Sequence, residues 1–146
     1  MRVFLDANVL FSACLRTRNR QYAFFELAGA GRCTLLTSTY TLEEARRNLA
    51  RKTPHAEDRL PALTNLLQRT ADTSAEEMIL WAEAQGLPAK DAPILAAAVG
   101  GRADLLVTGD RRHFGPLFGR VLRGVRVLPL AEGLAAVLAG AERNPH

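Results

Sequence analysis

Arg2-Val3-Phe4-Leu5-Asp6 at the start of the chain and Leu105-Leu106-Val107-Thr108-Gly109-Asp110 near its end share one pattern, a short apolar run followed by a carboxylate. Such runs, bounded by turn signals, read as strands buried on both faces, which is the mark of a parallel sheet. Both carboxylates then project from the carboxyl edge of that sheet. Open α/β folds bind their ligands at this edge.

Strands and helices alternate between these two stretches. The apolar periodicity predicts helices over residues 7–15 and 21–30, the second placing Phe24, Leu27 and Ala28 on one face. A strand over 33–37 leads into a helix over 41–52, with Leu42, Ala45 and Leu49 on one side and Pro54 marking its end. A further helix is expected over about 55–69 and a brief strand near 69–73. Ser74-Ala75-Glu76-Glu77 has the Ser-x-x-Glu form of a capping box and opens a helix to about Gln85. A helix over 90–99 stops at Gly100 and Gly101, and strands at 105–108 and 125–128 precede an Ala-rich helix over 130–142. This alternation predicts one α/β domain spanning 1–146, a Rossmann-like three-layer sandwich with a central parallel sheet and helices on both faces.

The bulk properties narrow the chemistry. A chain of 146 residues is long enough to bury a core unaided, and 48% hydrophobic with 23% charged residues is the balance of a globular domain. No apolar stretch is long enough to span a bilayer and no export signal opens the chain, so a cytoplasmic protein without membrane contact is expected. Cys14 and Cys33 have no CxxC spacing and read as free thiols. His55, His113 and His146 form no zinc-ligand pattern, which leaves oxygen ligands for any metal. The net charge of +4 comes with arginine at all but two of the basic positions, Lys52 and Lys90. A basic rim around an acidic pit suits a phosphodiester substrate, although an Arg-rich codon usage gives the same composition.

Each acid has a local explanation. Asp6 can cap the helix after it, and Asp110 can belong to a turn with Gly109. Asp91 can cap the helix that Pro93 begins, yet it shares a helical face with Leu95 and Ala98, where a carboxylate is costly to bury unless capped, paired or bound to a cation. Glu44 follows Thr41 by three residues and can complete a capping box. A helical wheel does not choose between Glu43 and Glu44. Four carboxylates brought to one sheet edge are better explained together, as a site for a cation.

Taken in order, Phe4-Leu5-Asp6-Ala7-Asn8-Val9, the segment from Ser38 to Leu49, Asp91-Ala92-Pro93-Ile94-Leu95, and Asp104 to Asp110 with His113-Phe114 behind it resemble the PIN-domain family of metal-dependent nucleases. The resemblance runs from Arg2 to about Leu130 and is most specific in its last block. It implies a PIN-like fold with catalytic acids at Asp6, Glu44, Asp91 and Asp110, of which Asp6, Asp91 and Asp110 hold the metal. Asn8 and Thr108 become polar supports that meet the substrate. Glu44 is preferred to Glu43 because the small or aliphatic residues that follow the family's acid fall at Ala45 and Leu49.

The resemblance further implies Mg²⁺ or Mn²⁺ as cofactor and RNA as substrate. Arg16, Arg18, Arg20, Arg46, Arg47, Arg111 and Arg112 are candidates for a phosphate-holding rim. Small PIN proteins are often toxins of bacterial toxin-antitoxin pairs, so an antitoxin protein is the expected partner, and apolar helix surface is compatible with a homodimer. Two other readings stand beside this one: a phosphate-binding regulatory α/β domain, which wants adjacent acids early in the chain, and an inactive nucleic-acid-binding module, which has no use for an intact acidic set.

Overall fold

The computed structural model describes residues 1–71 and 75–143. Its elements, in chain order, are β1 Arg2–Leu5, α1 Ala7–Leu15, α2 Arg20–Gly29, β2 Thr34–Thr37, α3 Thr39–Lys52, α4 Leu60–Thr64, β3 Leu67–Arg69, α5 Glu76–Ala84, α6 Ala92–Gly100, β4 Leu105–Val107, β5 Val121–Leu122, β6 Val125–Leu128 and α7 Leu130–Arg143, with 3₁₀ turns at Pro54–Arg59 and Gly115–Leu117. The strands form one sheet in the order β3-β2-β1-β4-β6-β5. From β1 the chain builds outward through β2 and β3, then returns to lay β4 on the other side of β1. The carboxyl ends of β1 and β4 therefore flank the point where the strand order reverses, and the crevice of an α/β sheet opens there.

Strand alternation divides the core into two layers. Val3, Leu5, Leu35, Leu105 and Val107 face α1, α2, α3 and α7, meeting Leu10, Phe24, Phe25, Leu49 and Val137. Phe4, Leu36, Leu106 and Val127 face the opposite way, against Ala82 of α5, Ile94, Leu95 and Ala98 of α6, and Phe114. Burying one large apolar side chain contributes roughly 1.5–3 kcal/mol. Strands this short are accordingly held by side-chain burial on both faces, which is why β1 and β4 have no polar face. The two strands pair in parallel with Val3 beside Leu105 and Leu5 beside Val107, so Asp6 and Thr108 leave the sheet at the same level.

The expected three-layer sandwich with a parallel sheet is what the chain adopts, with one addition. β5 pairs antiparallel with β6 through a two-residue turn at Arg123 and Gly124, whose φ values of 48° and 87° suit the twist of a tight hairpin. Residues 55–69 are not one helix. Pro54 and Pro61 cannot donate backbone hydrogen bonds, so a 3₁₀ turn and the short α4 replace it, and Leu67 then leaves the helical path to pair with Leu35 of β2. The third strand lies at 67–69 rather than 69–73. The capping box proposed at Ser74 falls outside the described residues; α5 begins just after Ala75. Among the described residues no helix is long and apolar enough to cross a membrane.

Candidate metal centre

Asp6 ends β1 and caps α1, its Oδ1 accepting a hydrogen bond from the Ala7 amide at 2.7 Å. Its other oxygen, Oδ2, accepts from the Thr108 hydroxyl at 2.7 Å, and the Asn8 amide group lies at 3.4 Å. Thr108 also receives the Asp110 backbone N–H at 3.1 Å, while Asn8 Oδ1 receives that of Gly109 at 2.8 Å. One connected network thus ties the exit of β1 to the exit of β4. Gly109 suits this closeness, since a Cβ there would lie 3.3 Å from Asn8 Oδ1 and Asn8 would have to shift slightly.

Asp110 is a turn residue as well. Its Oδ1 accepts from the amides of Arg112 and His113, both at 3.1 Å, and its Oδ2 lies 3.0 Å from His113 Nδ1. Asp91 behaves differently. It stands at the start of α6 yet makes no side-chain capping bond, although it is only 6% exposed. Its buried Oδ2 has no hydrogen-bond partner among the described residues. His113 Nδ1 comes within 3.2 Å of that oxygen, but this nitrogen is already engaged with Asp110. A buried carboxylate oxygen left without a donor is costly, and a bound cation would remove the cost.

Glu44 is brought in by α3. The cap of that helix is Ser38, whose Oγ accepts from the Thr41 amide at 3.1 Å, so Thr41 is inside the helix and the capping-box account of Glu44 fails. Glu43 turns the other way and pairs with Arg46 at the surface.

All four predicted acids, Asp6, Glu44, Asp91 and Asp110, line one cavity of about 190 Å³. Asn8, Asn48 and Lys90 complete its polar wall. Thr108 is fully buried beneath Asp6 and does not reach the surface. Of the arginines proposed as a rim, Arg111 and Arg112 are exposed directly after Asp110, whereas Arg46 is engaged by Glu43 and lies 3.8 Å from Glu57.

The electrostatics follow from this crowding. Burial, opposed by the Thr108 and Ala7 bonds and reinforced by Glu44 and Asp91, pushes the Asp6 carboxyl up from its ordinary 3.8 to about 6. Glu44 is raised by burial and by Asp91 against the pull of Lys90 and Arg47, and Asp91 is raised by burial despite Lys90 and His113. Asp110 alone ends below the ordinary carboxylate range: burial raises it, but the His113 amide and ring and the Arg112 amide outweigh that. Ligand atoms of Asp91, Asp110 and His113 lie within 4.8 Å of one another. Two like charges at that distance repel by roughly 3 kcal/mol at an effective dielectric near 20. The cluster therefore favours protons or a cation, and the donor atoms present, carboxylate oxygens foremost, fit a hard divalent ion.

His113, Lys90 and Asn48 were not among the residues expected here. His113 stands in the block that carries the family resemblance, and its spacing of three from Asp110 is a signal that could have placed it at the site. Lys90 is the sequence neighbour of Asp91. Asn48 is one helical turn after Glu44, the separation that puts two residues on the same face.

A protein-family model described as the PIN domain matches residues 2–112. No curated protein sequence matches the chain. Solved structures with the same fold include VapBC2 from Rickettsia felis bound to a DNA fragment from their promoter, with TM-score 0.65 and 19% identity over 88% of this chain and 98% of that one. PAE2754 from Pyrobaculum aerophilum is similar at TM-score 0.66 and 18% identity, covering 95% of this chain and 99% of the other. FitAB bound to an IR36 DNA fragment is similar at TM-score 0.55 and 20% identity, covering 87% and 94% respectively. A family match spanning most of its length, on a sheet whose switch point carries the acids, makes this chain a member of the PIN domain family.

Proposed function

We propose that the protein is a Mg²⁺- or Mn²⁺-dependent endoribonuclease and acts as the toxin of a toxin-antitoxin pair. The observation that carries the nuclease reading is the convergence of Asp6, Glu44, Asp91 and Asp110 on one cavity, with a buried Asp91 oxygen lacking any hydrogen-bond donor. Asp6, Asp91 and Asp110 are the residues to hold the ion. Such an ion, when bound, lowers the pKa of water and offsets charge gathering on phosphate.

The chain's own groups divide the remaining work. Glu44, on a separate element and with a raised pKa, is placed to orient the attacking water and accept its proton. The water oxygen bonds to phosphorus as the bond to the leaving ribose oxygen breaks, and solvent protonates the leaving oxygen. Thr108, being buried, orients Asp6 rather than meeting substrate. Asn8 lies on the cavity wall with its amide group already bonded to Thr108 and Gly109, so it supports the site first and meets substrate only from its exposed edge. Exposed Arg111 and Arg112 sit where RNA phosphates would pass.

Partner and role rest on the family and on the fold neighbours. VapBC2 and FitAB were both solved with DNA fragments, which supports for this chain an antitoxin that covers the cavity and binds DNA. The test of activity is cleavage of single-stranded and structured RNA with Mg²⁺, with EDTA and by Asp6→Asn. Cleavage confined to the first condition is expected; equal rates in all three would remove the proposal. Growth arrest on expression, relieved by a neighbouring gene product, is the expected sign of the toxin role, and harmless expression of an active enzyme points to RNA processing.

A further inference from the structure

The acidic cavity has a single cation in its wall among the described residues, Lys90, and its surroundings show that it is not there as an ion-pair partner. Among the described residues no carboxylate oxygen lies within 4.0 Å of its ammonium, and the ion pairs near the cavity are those of Arg46 and His113. The charge is nevertheless near enough to act: Lys90 pulls down the carboxyl groups of both Glu44 and Asp91. Its side chain is exposed while its backbone is fixed, because the Tyr40 hydroxyl donates to the Lys90 carbonyl at 2.7 Å. Tyr40 stands in the first turn of α3, one turn before Glu44, so this bond joins the helix carrying Glu44 to the loop carrying Asp91. A lysine anchored at the mouth of a cavity, in no ion pair among the described residues, is arranged to receive an anion from solvent.

We propose that Lys90 holds the scissile phosphate, its ammonium meeting a non-bridging oxygen, and that Tyr40 is the positioning residue that sets where this ammonium sits. This rests on the nuclease reading and adds the contact that reading lacks. The four acids repel a phosphodiester, and an ion held among them answers that repulsion only in part. As water attacks phosphorus, negative charge grows on the non-bridging oxygens, and a fixed ammonium beside them stabilises that charge without having to be reorganised. A compact lysine charge suits one oxygen of a phosphate that passes in either rotation.

The test compares wild type, Lys90→Met, Lys90→Arg and Tyr40→Phe in three measurements. These are Mg²⁺ affinity, steady-state cleavage of a single-stranded RNA at saturating Mg²⁺, and the salt dependence of binding to the same RNA in EDTA, where no cleavage is expected. Lys90→Met should bind Mg²⁺ as well as wild type or better, yet lose about tenfold or more in kcat/KM. Its log–log salt slope should be shallower by about 0.7, the value for one phosphate contact on a single strand. Lys90→Arg should keep the slope, and Tyr40→Phe should raise KM with Mg²⁺ affinity unchanged. An unaltered slope and kcat/KM in Lys90→Met, or a loss of activity matched by a loss of Mg²⁺ affinity, overturns the proposal. Failure of wild type to cleave any RNA overturns the nuclease reading instead, and the salt slope still decides the phosphate contact. If wild type binds no oligonucleotide, both are wrong.

Discussion

The Thr108 hydroxyl donates a 2.7 Å hydrogen bond to Asp6 Oδ2 across 102 residues of sequence, joining the ends of two adjacent parallel strands. Thr108 Oγ1 also accepts a hydrogen bond from the Asp110 amide at 3.1 Å. One buried hydroxyl therefore ties the Asp6 carboxylate to the backbone of the turn that carries Asp110.

Thr108→Val keeps the shape and removes the hydroxyl. Asp6 Oδ2 then retains only the distant Asn8 group, and the Asp110 amide loses its acceptor. A destabilisation of about 1–3 kcal/mol is expected from the groups left unsatisfied, with Thr108→Ser restoring most of it. Thermal melts of the three proteins check this. Mg²⁺ affinity should fall in the valine variant, and a valine variant as stable as wild type would show that the network does not hold the strand ends.

The pH dependence has a defined sign. With its carboxyl raised to about 6 in the fold, Asp6 contributes stability that is complete below its unfolded value of 3.8 and lost as pH rises through about 6. Over that window the loss is roughly 3 kcal/mol for a shift of this size. Asp110, lowered by His113 and Arg112 against its burial, acts in the opposite sense: its contribution is present above its unfolded value and lost as pH falls through the lower folded one. In EDTA, melting temperature should decline between about pH 4 and 6.5 in wild type and decline less in Asp6→Asn. Divalent ion should stabilise progressively more across the same interval. A pH-independent gap between the two proteins contradicts this account of Asp6.

Glu43 and Glu44 should separate cleanly. Glu44→Gln is expected to lower RNA cleavage by about a hundredfold or more, the scale of losing a proton acceptor. Glu43→Gln should cleave like wild type, because Glu43 faces Arg46 and a different surface groove. Equal loss in both variants would sink the assignment of Glu44.

What could be read from sequence follows the range of the interactions involved. β1 and β4 were legible because strands buried on both faces must be apolar throughout, and Asp6 and Asp110 stood out as the acids that follow them. Asp91 was legible as a carboxylate on a packing face, and it is buried there without the side-chain cap that was its local explanation. Glu43 and Glu44 are adjacent on a helix and differ only in what α3 packs against, which no wheel contains. The strand at Leu67 was hidden because residues 54–64 are locally helical and only pairing with Leu35 draws the chain into the sheet. β5 is two residues long, too short for any periodicity. His113 reaches Asp91 through the turn that Asp110 makes, and Lys90 reads locally as a solvated charge.

The most direct measurement is anomalous diffraction at the manganese edge from a crystal of wild-type protein soaked in Mn²⁺. The account predicts a peak inside the cavity, within coordinating distance of carboxylate oxygens of Asp6, Asp91 and Asp110. Diffraction showing that cavity free of manganese at millimolar Mn²⁺ and neutral pH, with Asp91 Oδ2 satisfied by water instead, would contradict it.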